Sequence, residues 1–126
     1  MISHVSLGAR DLATSTALYD ACLAPLGYFR LYATERVTGY GPPGRDAPLD
    51  LFQLGAEETS AAIPGFHLAF EAPSRAAVDA FHRAALAAGA TDAGLPGLRP
   101  RYGDGYYTAF VLDLDGHKLE AVHRPA

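Results

Sequence analysis

Apolar and polar positions alternate from the start of the chain. Over residues 2–8, Val5 and Leu7 fall on one face of an extended strand and His4 and Ser6 on the other. Asp11 comes next as a helix N-cap, its side chain able to accept from backbone N–H groups that a helix leaves unpaired. The spacing predicts a helix over residues 12–24, with Leu18 and Cys22 four apart on one side, ended by Pro25 and Gly27. Residues 28–35 are aromatic-rich and strand-like, and further strands are predicted over residues 37–41 and 49–54, separated by the loop Gly41-Pro42-Pro43-Gly44. Residues 55–65 are mainly Ala, Glu, Thr and Ser with a closing Pro-Gly, which marks an internal boundary.

Beyond that boundary the pattern of the first half returns. Residues 66–71 alternate again, with Leu68 and Phe70 on the apolar face and His67 and Ala69 on the other. Ser74 is a second N-cap, and residues 75–88 carry a helical stripe of Val78, Phe81, Ala85 and Ala88. At an offset of 63 residues His4 meets His67, Leu7 meets Phe70, Asp11 meets Ser74, and Leu18 meets Phe81. The second half runs on through a Gly/Pro-rich connection, residues 89–105, and a strand over residues 106–112. It closes in a hairpin whose Asp115-Gly116 turn suits the positive φ of tight turns. After that turn Leu119 and Ala121 point one way, and Lys118, Glu120 and Val122 the other. The expected architecture is α+β, one chain of two strand–helix–strand units, about 1–55 and about 65–126, forming a curved mixed sheet with helices outside.

Composition narrows the class. The chain has 126 residues, enough for a real core. A net charge of −4 argues against nucleic acid as a partner. No apolar run approaches the ~18 residues of a membrane span. The start lacks a basic segment with an apolar one after it, and the lone Cys22 cannot form an internal disulfide, so a cytoplasmic protein is expected. Cys22 shares the core stripe of the first helix and reads as a buried small residue.

The candidate chemistry comes from the alternation. The apolar faces of the strands must pack on the helices, which sends His4, His67 and Glu120 to the opposite face. Two imidazoles and a carboxylate converging from three strands form a site for a divalent metal, zinc, nickel, iron or manganese, with positions left open for a substrate. Arg99, Arg101 and Tyr102 sit in the Gly/Pro-rich connection with Tyr106 and Tyr107 just after, and Phe52 lies on the last strand of the first half. Arg can grip an anion in a fork and Tyr offers a ring with a proton donor, so these six residues are substrate candidates. The competing reading is a solvated loop with Tyr on its rim, and Tyr40 and Arg45 have the same status. His82, His117 and His123 read as surface residues.

These features resemble the glyoxalase/bleomycin-resistance/dioxygenase group, the vicinal oxygen chelate superfamily. The matching stretches are Ile2-Ser3-His4-Val5-Ser6-Leu7, His67-Leu68-Ala69-Phe70, and Asp113-Leu114-Asp115-Gly116-His117-Lys118-Leu119-Glu120, where Leu114 replaces the Pro of the usual Asp-Pro-Asp-Gly ending. The resemblance implies paired βαβββ modules around a cavity, a small-molecule substrate, a homodimer, and a metal held by His4, His67 and Glu120. Glyoxalase I-like members carry a fourth carboxylate, and the repeat puts Asp50 there, since Leu49-Asp50-Leu51 parallels Leu119-Glu120-Ala121. Glu120 or Asp50 would then move the substrate proton. Three functions stay open: a glyoxalase-like lyase or isomerase, a 2-His-1-carboxylate dioxygenase or thiol transferase, and a drug- or metabolite-binding protein that does no chemistry.

Overall fold

The alternating runs and helical stripes form strands and helices close to where they are predicted. In the computed structural model, which describes residues 1–58 and 63–125, the first half holds β1 (Val5–Ala9), α1 (Leu12–Leu23), β2 (Phe29–Ala33), β3 (Val37–Gly41) and β4 (Leu49–Gln53). The second holds β5 (Leu68–Glu71), α2 (Arg75–Ala87), β6 (Thr91–Leu98), β7 (Tyr107–Leu112) and β8 (Lys118–His123). The middle of the expected internal boundary, residues 59–62, lies outside the described residues. Both N-caps form: the Asp11 carboxylate accepts from the Thr14 amide and Ser74 Oγ from the Ala77 amide. The hydroxyl and amide of Thr14 hold the Asp11 carboxyl below its usual range.

Each half folds into one four-stranded mixed sheet, in the orders β1-β4-β3-β2 and β5-β8-β7-β6. In both, the first strand pairs in parallel with the last and the other ladders are antiparallel. The registers repeat as well, because Ser6 stands opposite Asp50 and Ala69 opposite Glu120. The expected curved sheet is thus realised as two sheets. α1 contacts β2, β3 and β4, α2 contacts β6, β7 and β8, and the helices also touch each other. Each helix is thus covered by its own sheet and by the other helix: α1 buries Leu18, Tyr19, Cys22 and Leu23, and α2 the stripe Val78, Phe81 and Ala85. One apolar cluster, running from Leu7 and Leu18 to Phe81 and Leu119, joins both halves.

Several local expectations change. The connection 89–105 is not wholly loop: it contains β6 and a 3₁₀ turn at Pro100–Tyr102. Gly94, Pro96 and Gly97 lie within β6, and its pairing with β7 shifts register between Asp92 and Gly94 and again before Gly97. Such bulges break the alternation by which a strand is recognised. His82, expected at the surface, is buried, with Nε2 2.9 Å from Asp92 Oδ1. The tight Asp115-Gly116 turn widens to residues 113–117, with Gly116 at φ +87° and the Asp113 carboxylate accepting from the amides of Asp115 and His117.

This turn also ties the halves together. Tyr19 of α1 donates its hydroxyl to Asp113 Oδ2 at 2.6 Å. The Asp115 carboxylate takes the Arg10 amide and guanidinium, each at 3.1 Å, and the Ser15 hydroxyl. His117 Nε2 lies 2.9 Å from the Gly8 carbonyl, so this residue is also engaged and half-buried. Among the described residues, no helix is long and apolar enough to cross a membrane.

Candidate active site

The sheet faces turned away from the helices carry the chemistry. In the second sheet, Leu119 and Ala121 of β8 are fully buried on the helix side, so Glu120 between them points outward. Glu120 is nevertheless only 2% exposed. Oε1 faces His67 Nε2 at 2.9 Å, while Oε2 accepts the Tyr106 hydroxyl at 2.6 Å and the Thr108 hydroxyl at 2.7 Å. The Thr108 proton is shared, because the Ala121 carbonyl is also within 2.9 Å of its Oγ1. Burial and the adjacent Glu120 carboxylate push the Tyr106 hydroxyl up to about 12, so it stays a donor at neutral pH. His67 is exposed and makes an edge contact with the Phe110 ring, centroids 5.8 Å apart.

Of the predicted donors, the structure brings His67 and Glu120 together and leaves His4 apart. Among the described residues, no three His, Cys, Asp or Glu side chains stand close enough to hold a metal ion. His4 is exposed, contacts Ser3 Oγ through Nδ1 at 3.1 Å, and lines a groove of about 220 Å³ with Tyr28, Leu49, Leu68 and Phe70. Asp50 is half-buried on the outward face of the first sheet, opposite Ser6 and Gly39. It therefore holds in its own sheet the place Glu120 holds in the other.

A full βαβββ repeat with matched registers, and a His–carboxylate pair on the outward face of the second unit, already point to one fold family, and the comparisons agree. The model of the Glyoxalase/Bleomycin resistance protein/Dioxygenase superfamily matches residues 1–121. The chain belongs to that superfamily. A glyoxalase/bleomycin resistance protein from Albidiferax ferrireducens T118 is 35% identical, with 98% of each chain covered and a TM-score of 0.84. A glyoxalase-related enzyme from Fulvimarina pelagi is 20% identical over 99% of this chain and 88% of its own, with a TM-score of 0.77. The fosfomycin resistance protein FosX of Listeria monocytogenes is 18% identical over 99% of this chain and 93% of its own, with a TM-score of 0.69. At those two lower identities the likeness is one of fold. The chain matches no curated protein.

In this superfamily member the weaker site candidates separate into two groups. Tyr106 belongs to the Glu120 cluster, and the Tyr102 ring lies against it at 5.3 Å, with the Arg101 guanidinium 4.8 Å from the Tyr102 centroid. Tyr107 does not belong. It points to the helix side, donates to Asp79 Oδ1 of α2 at 2.6 Å and is covered by Arg75. Strand alternation alone separates two consecutive tyrosines in this way. Phe52 sits in the other sheet, in a cleft of about 570 Å³ along the edge of β1 that also takes in Phe66, Leu112 and Lys118. Tyr40 is core, its hydroxyl bonded to the Thr16 carbonyl and the Asp20 carboxylate. The Arg99 guanidinium reaches back over β6, donating to the Leu95 carbonyl at 2.8 Å.

Two contributors to the site, Thr108 and Phe110, lie outside the sequence-based set. The signal for them is available: β7 alternates, and Thr108 and Phe110 share the parity of Tyr106.

Proposed function

We propose that the protein is a divalent-metal-dependent, glyoxalase-like enzyme, a lyase or isomerase acting on a small substrate with two adjacent oxygen atoms, at a site shared between two copies of the chain. The observation that carries this reading is the Glu120 carboxylate. It is buried on a sheet face that points away from the core, and an imidazole stands against its one oxygen not taken by hydroxyls. Burying a carboxylate costs free energy that folding alone does not require.

The pair fits a cation. Two neighbouring ligands on a six-coordinate ion, at bonds of about 2.0–2.2 Å, stand roughly 3 Å apart. His67 Nε2 and Glu120 Oε1 are 2.9 Å apart. One imidazole nitrogen and one carboxylate oxygen suit zinc, nickel, iron or manganese. Tyr106 and Thr108 hold the second carboxylate oxygen and so aim the first, the usual task of groups behind a metal ligand. A bound cation would polarise the substrate oxygens and ease loss of a neighbouring proton.

The third donor is His4 of a second copy. Within one chain His4 is exposed and does not join the pair. Because His4 directly precedes β1, the strand paired with the Asp50-bearing β4, a copy that brings up one brings the other close by. Asp50 is then placed to accept the substrate proton, with Glu120 retained as ligand.

The test is metal analysis of the purified protein with mixed dimers. His4→Ala and Glu120→Gln homodimers should each lose bound metal. A mixed dimer of the two variants keeps one intact site if the site is shared, and so should recover about half the wild-type metal. A mixed dimer with none would place the whole site within one chain. Wild-type protein that takes up no zinc, nickel, iron or manganese would refute the reading in favour of a ligand-binding protein. Oxygen uptake on a catechol by iron-loaded protein would favour the dioxygenase instead.

A further inference from the structure

Beside the His67–Glu120 pair lies a feature that the proposed chemistry does not use. Phe110 stands opposite Glu120 in the β7–β8 ladder, so its ring shares the outward face. A cation borders that ring. Lys118 Nζ is 4.8 Å from the ring centroid, and Lys118 is on the same face of β8 as Glu120, two residues and roughly 7 Å along the strand. On the other side Gly94 is the ladder partner of Phe110 in β6. A Cβ at Gly94 would lie 2.9 Å from Phe110 Cδ2 and 3.5 Å from Arg99 Nη2, and one at Gly97 would lie 3.2 Å from Arg99 Nη1. The two glycines leave the room into which Arg99 folds back toward the ring.

Arg99 is fixed there by two carbonyls, Leu95 and Leu98. A guanidinium has five N–H donors in a rigid fork, so three remain. Among the described residues, Arg10, Arg30 and Arg124 each pair with a carboxylate, whereas neither Arg99 nor Lys118 does. Both are half-buried, and there an unbalanced charge gains more from an anion than it would in open water.

We propose that Lys118 and Arg99 form an oxyanion subsite on either side of Phe110. The substrate carries a carboxylate, phosphate or phosphonate held there while its reacting end lies at His67 and Glu120. The position of the reacting end rests on the glyoxalase-like reading, but binding of the anion does not.

The probe is phenylphosphonate, with benzoate as the carboxylate arm, titrated calorimetrically into the full chain at low ionic strength after metal removal with EDTA. Either anion should bind, and Lys118→Met or Arg99→Met should each weaken it about tenfold or more. Arg99→Lys keeps the charge and should recover part of the loss, with an unchanged melting temperature showing that the fold is intact. The more tightly bound anion names the group. Absence of binding to either anion, or equal binding by wild type and both Met variants, overturns the subsite whatever the metal content. Glu120→Gln separates the two readings, because it should lose metal yet keep the anion. Protein that takes no metal but binds the anion through Lys118 and Arg99 upholds the subsite and overturns the metal reading.

Discussion

Tyr19→Phe removes a single oxygen atom from the contact between the two halves. Tyr19 is fully buried on α1, and its hydroxyl donates to Asp113 Oδ2 at 2.6 Å. The other oxygen of Asp113 accepts the amides of Asp115 at 2.9 Å and His117 at 2.8 Å. One carboxylate thus closes the turn between β7 and β8 and anchors it to the helix of the other half. Burial and the Asp113 carboxylate push the Tyr19 hydroxyl well above its ordinary range, so it remains a donor. Phenylalanine keeps the ring against Tyr40, 6.0 Å away, so little packing is lost. What goes is a charge-assisted hydrogen bond, leaving a buried carboxylate oxygen without its donor, at a cost of about 1.5–3 kcal/mol. At about 2.1 cal/mol/K per residue, unfolding this chain of 126 residues carries an entropy of roughly 0.26 kcal/mol/K. A loss of about 2 kcal/mol then lowers the melting temperature by about 8 °C. Scanning calorimetry measures the shift, and urea unfolding should show a lower midpoint with an unchanged slope. A drop under about 2 °C would show that the contact carries no such weight. Two separate transitions would show that the halves do not unfold as one.

Two further outcomes rest on buried titratable groups. Cys22 is fully buried and its thiol is pushed up to about 12 by burial, so a thiol reagent at mildly alkaline pH should label it only through unfolding. The labelling rate should rise with urea in step with the unfolded fraction, and immediate labelling of the native protein would contradict the burial. Tyr19, Tyr40, Tyr106 and Tyr107 are all held above the ordinary tyrosine value of 10, Tyr106 at about 12. Above pH 10 the folded chain keeps protons that the unfolded chain has released, so stability is undiminished below that pH and falls as pH rises toward 12. Tyrosinate absorbance should lag in the native protein and catch up as the fold is lost, and tyrosines that titrate together at the ordinary value with the fold intact would refute this.

Much of the fold was legible because its signals are local. Period-2 alternation placed β1, β5 and β8, helical stripes placed α1 and α2, and Asp11 and Ser74 marked where the helices begin. Comparing the halves then aligned His4 with His67 and Asp50 with Glu120, and the repeated register bears out the second alignment. The losses have equally specific causes. Gly94, Pro96 and Gly97 hid β6, and with it the strand partner that buries His82. The glycines make sense only beside Arg99 and Phe110, contacts that no local pattern encodes. Asp113 and Asp115 read as turn residues and are that, but their side chains also grip α1, about a hundred residues away.

The donor set shows the deeper limit. A repeat puts equivalent residues on equivalent faces, yet it does not say which faces meet. That is decided by what the helices pack against. Here α1 and α2 pack on each other as well as on their own sheets, an arrangement that no local pattern in the sequence encodes. With the helices so engaged, the outward face of the first sheet carries Asp50, with His4 just before β1, and that of the second carries the His67–Glu120 pair. Two copies related by a twofold axis, each presenting its first sheet to the second sheet of the other, would assemble two equivalent sites at once. Such a pairing is isologous, and so closed. The mixed dimer of His4→Ala and Glu120→Gln discriminates on this point, because only that arrangement leaves one of its two sites intact.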